Sequence, residues 1–445
     1  MNHTTGRDSR SLPRCALGAL IGVLSTAATA QDTAPSAPAT STSTSTSTST
    51  AADPNPYYLG VSQGFTHDSN VYRTPSGTSD NYSITSLLGG FDQPIGRQRV
   101  FGNANVSANR YQNETRLDHT SYGIAGGLDW QTIEKLSGNL NLALNQNLAA
   151  PASSTVVPGT RRNLAQTESI DARVRWGGGA RVTLEGGIGY SKLDYSAPQY
   201  AYLESTQDSA SLAAYYRPGA LLRIGVAARV NRTDTPKAAQ NPITGAFIGN
   251  TVNGRNIDLL ADYELSGFFT TNARLSYTKQ TNSGISNADF SGLTGNLNLN
   301  YFPTAKLSFN LYASRDSGFN SSLANLFVQN GPFLTTVTGL YQNNRVTNSV
   351  GLGVGYAATA KIKADAGLRY ARAKLLTTLV TTSGVEASPD TTDVSKSAYL
   401  GVKYEIARNW GLACQLAHET RDVSGRLTYA YTANSIGCTA QYTWR

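Results

Sequence analysis

The residues of this chain that could do chemistry are charged side chains at alternate positions of otherwise apolar segments. In DARVRW, for example, Arg173 and Arg175 are separated by Val174. A guanidinium binds anionic and hydroxyl groups through directed hydrogen bonds, so such a row could contact anionic, hydroxyl-rich solutes. The same row could instead pair with acids on neighbouring strands. The candidates of both signs are Arg173, Arg175, Arg181, Glu185, Arg223, Arg229, Asp258, Asp262, Arg274, Lys363, Asp365, Arg369 and Lys403.

Motifs for catalysis, cofactors and metals are missing from the sequence. The histidines His3, His67, His119 and His418 belong to no HExxH, Ser/His/Asp or phosphate-loop pattern. The cysteines have no zinc spacing. Basic residues alternate with apolar ones and do not form the basic patch of a nucleic-acid binder. We therefore expect no enzymatic activity, no cofactor, no metal and no nucleic-acid partner.

The elements that must position the charged residues are long β-strands with one apolar and one polar face. In GNLNLALNQNL, Leu140 and Leu142 share one face, and Asn139 and Asn141 share the other. Alternation with period two is typical of strands. The segments run for about 10–13 residues, whereas soluble strands average about five or six and a tilted membrane strand needs about 9–11. Length and alternation together predict strands that cross a membrane.

The connections between these strands alternate between short and long. Outer-membrane barrels have short periplasmic turns and long external loops. We expect the long loops at 149–163, 233–252, 316–344 and 375–393. The loop 316–344 contains LFVQNGPFL and could either fold into the pore or cap the outside. We expect all prolines after residue 56 to lie in turns or loops, because proline cannot donate a hydrogen bond to a neighbouring strand.

Aromatic residues mark the strand ends that meet the short turns, in phase with the apolar face. Such rings collect at membrane–water interfaces. We therefore predict an all-β fold: a transmembrane antiparallel up-and-down β-barrel of about 18 strands, with both termini periplasmic. The predicted girdle consists of Trp130, Trp176, Tyr216, Tyr263, Tyr301, Tyr356, Tyr404 and Trp444.

The N-terminal region has the composition of an export signal followed by a linker. Basic residues precede the apolar stretch Ala16–Leu24, and an A-x-A cleavage pattern ends at Ala30. The following Ala-, Pro-, Ser- and Thr-rich residues have no apolar surface to bury. We predict a signal peptide at 1–30, a disordered linker at 31–56 and a barrel at 57–445, located in the bacterial outer membrane.

Composition supports the barrel and excludes a helical membrane protein. Charged residues make up 15% of the 445 residues, and the mean hydropathy is −0.30. A typical soluble domain contains about 25% charged residues. The formal net charge is +8. A barrel of this width has an aqueous lumen, which the polar faces of the strands would line.

Two cysteines, Cys414 and Cys438, lie on the last predicted hairpin, in phase with the apolar face. In an oxidising compartment they could form a cross-strand disulfide. They could equally be two small hydrophobic side chains that face lipid, and the sequence leaves both readings open.

The first predicted hairpin contains the segment HDSNVYR at residues 67–73. This segment resembles the opening of the β-barrel porin 2 family, and within it the EpsL-like outer-membrane barrels of exopolysaccharide biosynthesis loci. The resemblance singles out residues that would contact saccharide hydroxyls at the extracellular mouth, although Asp and Asn at such positions could equally stabilise a turn. These residues are His67, Asp68, Asn70, Tyr72 and Arg73.

The resemblance implies a conduit for export of an extracellular polysaccharide, fed by periplasmic and inner-membrane export components. Two alternatives stay open: a general or solute-uptake porin, and a non-conducting structural or adhesion barrel. The expected partners are outer-membrane lipid and either polysaccharide or small polar solutes.

Overall fold

The computed structural model describes residues 56–149, 162–240, 246–265, 267–283, 289–330, 333–381, 384–387, 391–424 and 430–444. The predicted signal peptide and all but the last residue of the predicted linker lie outside these ranges. So does most of the predicted loop 149–163.

Strands make up nearly all of the described chain. The first ten are β1 Tyr57–Asp68, β2 Asp80–Ile95, β3 Gln98–Tyr111, β4 His119–Gln131, β5 Leu136–Leu148, β6 Leu164–Trp176, β7 Val182–Tyr195, β8 Ser205–Tyr216, β9 Leu222–Gln240 and β10 Phe247–Leu265. The others are β11 Phe269–Asn282, β12 Phe290–Thr304, β13 Leu307–Asn330, β14 Phe333–Ala357, β15 Ile362–Thr381, β16 Gly384–Ala387, β17 Thr391–Ala407, β18 Trp410–Ser424 and β19 Tyr431–Trp444.

Two short 3-10 helices complete the secondary structure of the described ranges. Thr115–Leu117 lies between β3 and β4, and Pro198–Leu203 lies between β7 and β8. No helix in the described part of the chain is long and apolar enough to cross a membrane.

The strands form one closed antiparallel barrel. Each strand pairs with its sequence neighbour, and β1 pairs with both β2 and β19, which closes the sheet. The four-residue β16 pairs with the outer end of β15, while β15 pairs directly with β17, so 18 strands form the wall. Leu59 lies opposite Trp444, so the barrel begins and ends at one rim. The predicted fold class is confirmed.

The outer surface of the barrel carries the apolar face of every strand. Ile257, Leu368 and Val226 are 67%, 61% and 55% exposed. Leaving one such side chain in water forgoes about 1.5–3 kcal/mol, so a belt of them requires a lipid surrounding. Closure leaves no strand edge unpaired, as a bilayer demands. The barrel therefore spans the bacterial outer membrane, as predicted.

The aromatic residues predicted to form a girdle lie near the strand ends that meet the short turns, on the outward face. Trp176 is 53% exposed and Tyr356 is 48% exposed. Further rings occupy the same rim: Trp410 packs edge-to-face on Tyr442, which packs on Trp444. The short turns take the tight geometry that glycine permits, since Gly177 and Gly267 have φ values of 88° and 73°.

Several of the predicted long loops are wrong, because the strands continue into them. The described residues of 316–344 form the upper parts of β13 and β14, which pair as far as Asn330 opposite Phe333. The predicted loop 233–252 likewise falls largely in β9 and β10, and 375–393 falls largely in β15, β16 and β17. Beyond the membrane a hairpin still satisfies its backbone hydrogen bonds by pairing, so its strands need no apolar face there. The sequence lacks regular alternation in these regions, which is why it predicts loops.

Proline placement needs a related correction. Pro236 lies within β9, and Pro94 and Pro303 lie within the ends of β2 and β12. Opposite Pro236, the β9–β10 register shifts between Ile248 and Asn250. Proline is tolerated at such an irregularity because no regular ladder bond is required of it.

Candidate functional site in the barrel lumen

The face opposite the apolar belt carries the charged candidates. Arg175 pairs with Glu185 at 2.7 Å, and Arg223 pairs with Asp262 at 2.6 Å. Arg229–Asp258 and Lys363–Glu405 each measure 3.3 Å. The pairs Arg175–Glu185, Arg223–Asp262 and Lys363–Glu405 are partly exposed, so each is worth only about 0–1 kcal/mol, whereas Asp258 is buried. For these residues the structure favours the ion-pair reading over solute contact.

The remaining candidates lie on the same face in other settings. Arg173 and Asp365 project beside glycines of the next strand, Gly187 and Gly401. Lys403 lies directly opposite Lys363. Arg181 is in the turn that precedes β7.

Two lumenal arginines differ from the rest. The Nε atoms of Arg274 and Arg369 are buried and have no hydrogen-bond partner. Arg274 lies near Asp258 and Asp316, which attract it electrostatically. Among the described residues Arg369 forms no ion pair. Its Nε atom is buried, so only the two terminal NH2 groups of the guanidinium could donate to a solute.

Arg369 borders a cavity of about 450 Å³ against the wall formed by β13–β19. The polar groups that line this cavity include Arg73, Asn310, Tyr312, Ser397, Tyr399 and Glu419. The volume suits a small organic solute, since ligand pockets span about 300–1,000 Å³.

The two tyrosines of the cavity lie flat against the wall. A Cβ atom added at Gly351 would overlap the Tyr312 ring, and one added at Gly367 would overlap the Tyr399 ring. Glycine at these two positions therefore allows each ring to cover the neighbouring strand and turn a face to the lumen. Gly351 is directly opposite Arg369, so the guanidinium stands next to the Tyr312 ring.

Arg73 of the HDSNVYR segment borders this cavity, and Asn70 and Arg73 connect the first loop to the last strands. Arg73 pairs with Asp68 at 2.9 Å and with Glu419 at 3.3 Å, and its side chain is 8% exposed. Asn70 donates its backbone N–H to Asp68 and its amide to the Thr432 carbonyl. We call Asp68, Asn70, Arg73 and Glu419 the closure clasp, because it joins both ends of the barrel.

The other residues of the segment make local contacts. The Tyr72 hydroxyl donates to Glu114 at 2.6 Å, and His67 hydrogen-bonds Asn81 on the outward side of β1. Burial, together with the hydrogen bond to Glu114, raises the pKa of Tyr72 to about 12. Of the two readings of this segment, the contacts support the structural one, in which Asp and Asn bond nearby backbone.

The two cysteines are joined by a disulfide between opposed positions of β18 and β19. Cys414 and Cys438 share the outward face with Leu416 and Ile436. The bond therefore lies on the lipid side of the last hairpin and is remote from the lumenal cavity.

Sequence reasoning missed several groups of the site. Glu419 gives no sequence signal because its partner Arg73 lies far away in the chain, and Tyr431 donates its hydroxyl to Glu419. The buried ion pair Arg421–Asp393 was missed for a similar reason. Tyr312 and Tyr399 could have been found, since both fall on the polar parity of alternating strands. No cluster of three or more metal-binding side chains occurs among the described residues.

Comparisons with known proteins found distant structural likenesses alone. No protein-family model and no curated protein matches the sequence. The outer membrane protein OpdK from Pseudomonas aeruginosa is 13% identical, with 87% of this chain and 99% of that chain covered and a TM-score of 0.44. OccAB3 from Acinetobacter baumannii is 11% identical, with 87% of this chain and 98% of that chain covered and a TM-score of 0.42. The ferric enterobactin receptor PfeA from Pseudomonas aeruginosa is 8% identical, with 88% of this chain and 82% of that chain covered and a TM-score of 0.45. These values assign neither a family nor a ligand to this chain.

Proposed function

We propose that the barrel is a passive channel for uptake of small polar solutes across the outer membrane, with preference for ring-containing carboxylates. The observation that carries the proposal is the lumenal cavity at Arg369. A guanidinium with open donors stands there between two tyrosine rings that lie flat on the wall.

The chemistry of this cavity suits weak, exchangeable contacts. A carboxylate would accept charge-assisted hydrogen bonds from Arg369. The faces of Tyr312 and Tyr399 would contact an aromatic or sugar ring, and Asn310 and Ser397 would meet its hydroxyl groups. Transit requires that no single contact be tight, because a solute that binds strongly leaves slowly.

Conductance through planar bilayers tests this proposal. We expect the wild-type protein to carry current, and glucuronate or benzoate to reduce that current more than glucose does. Arg369→Gln should weaken the reduction about tenfold, the value of one charge-assisted contact. Arg175→Gln is the matched control, since it removes one lumenal charge that is already paired.

Two results would contradict the proposal. Absence of any current would favour the non-conducting structural or adhesion barrel. An equal effect of both substitutions would assign the anion response to total lumenal charge and not to the cavity.

Export of an extracellular polysaccharide is a second candidate, and the resemblance of HDSNVYR favours it. The clasp contacts add no support, because Asp68, Asn70 and Arg73 are already bonded within the protein. Deletion of the gene followed by measurement of secreted polysaccharide separates the two functions. Loss of secretion would favour export with periplasmic and inner-membrane partners, and normal secretion would leave uptake.

A further inference from the structure

We propose that the outer face of β10–β15 binds the phosphate groups of a phosphorylated glycolipid in the extracellular leaflet. Four basic residues on this face form what we call the basic ledge: Arg255, Lys279, Arg315 and Arg372. The proposal concerns the lipid side of the wall and is independent of what passes through the lumen.

The position of the ledge follows from strand parity. On β10, which runs from the extracellular to the periplasmic side, Arg255 precedes the outward Ile257 by two residues, and Ile257 is 67% exposed. Lys279 follows the outward Leu275 and Tyr277. Counted from the aromatic, periplasmic rim of the barrel toward the extracellular side, the ledge residue of each of the four strands is the first charged residue on the outward face. The ledge therefore lies at the extracellular edge of the apolar belt, where lipid headgroups begin.

The registers arrange the ledge residues as two pairs. Arg255 lies directly opposite Lys279. Arg315 lies opposite Asn348, which lies opposite Arg372 on the next strand. On the intervening β12, Lys279 lies opposite Ser291 and Arg315 opposite Gly295, so the two pairs are offset by four residues. Neighbouring strands are about 4.8 Å apart, so the cations within each pair are close enough to share one anion.

The charge of the ledge is not balanced by acids. No outward position described on β10–β15 carries a carboxylate, and none of the four residues forms an ion pair among the described residues. Arg315 donates only to the Leu293 carbonyl and the Asn348 amide oxygen. Like charges directly opposite each other destabilise a sheet. A bound anion would relieve this repulsion between Arg255 and Lys279.

The adjoining strands β6–β9 provide the contrast. On β7 Lys192 pairs with Asp194 at 2.6 Å, and on β9 Arg232 pairs with Asp234 at 2.8 Å. Glu168 and Asp208 share that outward face. Cations there are paired with acids, whereas the ledge residues form no ion pair in the described part of the chain. Phosphate groups held at a membrane surface are the anions that such cations would meet.

Lipid binding by the full mature protein tests the ledge. The probes are bis-phosphorylated lipid A and the same lipid after enzymatic removal of its phosphates, each titrated in neutral detergent and followed by native mass spectrometry. We expect the phosphorylated lipid to bind about tenfold more tightly, and Arg255→Gln with Lys279→Gln to abolish that difference. The matched control is Lys192→Gln with Arg232→Gln, which removes two paired charges and should retain the difference.

Folding of each variant is checked by its resistance to unfolding in cold SDS. Equal affinity for the two lipids would overturn the proposal, and so would equal losses in the ledge variant and the control. Should the ledge variant fail to fold, the wild-type titration with the two lipids decides by itself. The lipid titration and the conductance measurement are independent. Failure of the ledge proposal is therefore distinguishable from failure of the proposed channel function.

Discussion

Two arginines border the same lumenal cavity and have opposite surroundings. Arg73 is buried and pairs with Asp68 and Glu419, and its φ of 52° lies in the left-handed region. Arg369 extends from a regular strand, and its Nε atom has no partner. The first arginine joins the ends of the barrel, and the second forms no ion pair among the described residues. Residue type alone therefore does not tell a paired cation from an unpaired one.

The largest expected effect is that of removing Arg73. Arg73→Ala leaves Asp68 and Glu419 buried without their cation, so it should lower the free energy of unfolding by about 3–5 kcal/mol. Arg73→Gly should cost about 1 kcal/mol less, because glycine adopts a positive φ without strain. Urea unfolding in lipid vesicles, followed by tryptophan fluorescence, measures both values. Equal losses in the two variants would show that backbone strain at residue 73 is negligible.

A smaller effect is expected where Tyr399 covers Gly367. Gly367→Ala places a methyl group within the ring, so the ring must move, at a cost of about 1–3 kcal/mol. The matched control is Gly186→Ala, since an added Cβ there meets no atom within 4 Å. The same displacement should reduce inhibition of the current by benzoate. Inhibition that stays at the wild-type level would remove Tyr399 from the solute contact.

In contrast to Arg73→Ala, Arg369→Gln should have almost no effect on the free energy of unfolding. The substitution removes a buried N–H group that has no partner, and no carboxylate among the described residues loses its cation. We expect the free energy of unfolding to fall by less than about 0.5 kcal/mol. The same urea titration measures it, and a loss close to that of Arg73→Ala would mean that Arg369 is structural.

The smallest expected effect concerns pH at the first loop. The raised pKa of Tyr72, about 12, means that the neutral phenol is stabilised in the folded state. The neutral Tyr72 phenol contributes to the free energy of unfolding below about pH 10, the pKa of tyrosine in the unfolded chain. This contribution is lost as pH rises through the pKa of the folded state. The absorbance difference between wild type and Tyr72→Phe should show one tyrosine that ionises near pH 12. Ionisation near pH 10 would mean that the hydrogen bond to Glu114 does not persist in solution.

Much of the fold was predictable because it depends on a local pattern. In Gly138–Leu148 the alternation of Leu and Asn assigns each side chain to a face, whatever the neighbouring strand is. Strand ends were less predictable: β13 and β14 continue to Asn330 and Phe333 through a mixed sequence in which apolar residues do not alternate regularly with polar ones. Pairing there depends on the partner strand, and no single strand's sequence records it.

The amino-acid sequence alone specifies the barrel class, the lipid and lumen faces of each strand, and the aromatic rim. These follow from period-two geometry and from the partition of side chains between lipid and water. Which cations are paired depends on how the strands come together. Closure brings Arg73 to Glu419, 346 residues away in the chain, whereas Arg369 and the basic ledge form no ion pair among the described residues. Pairing is a property of strands that lie side by side, so the sequence of one strand does not distinguish a paired arginine from an unpaired one.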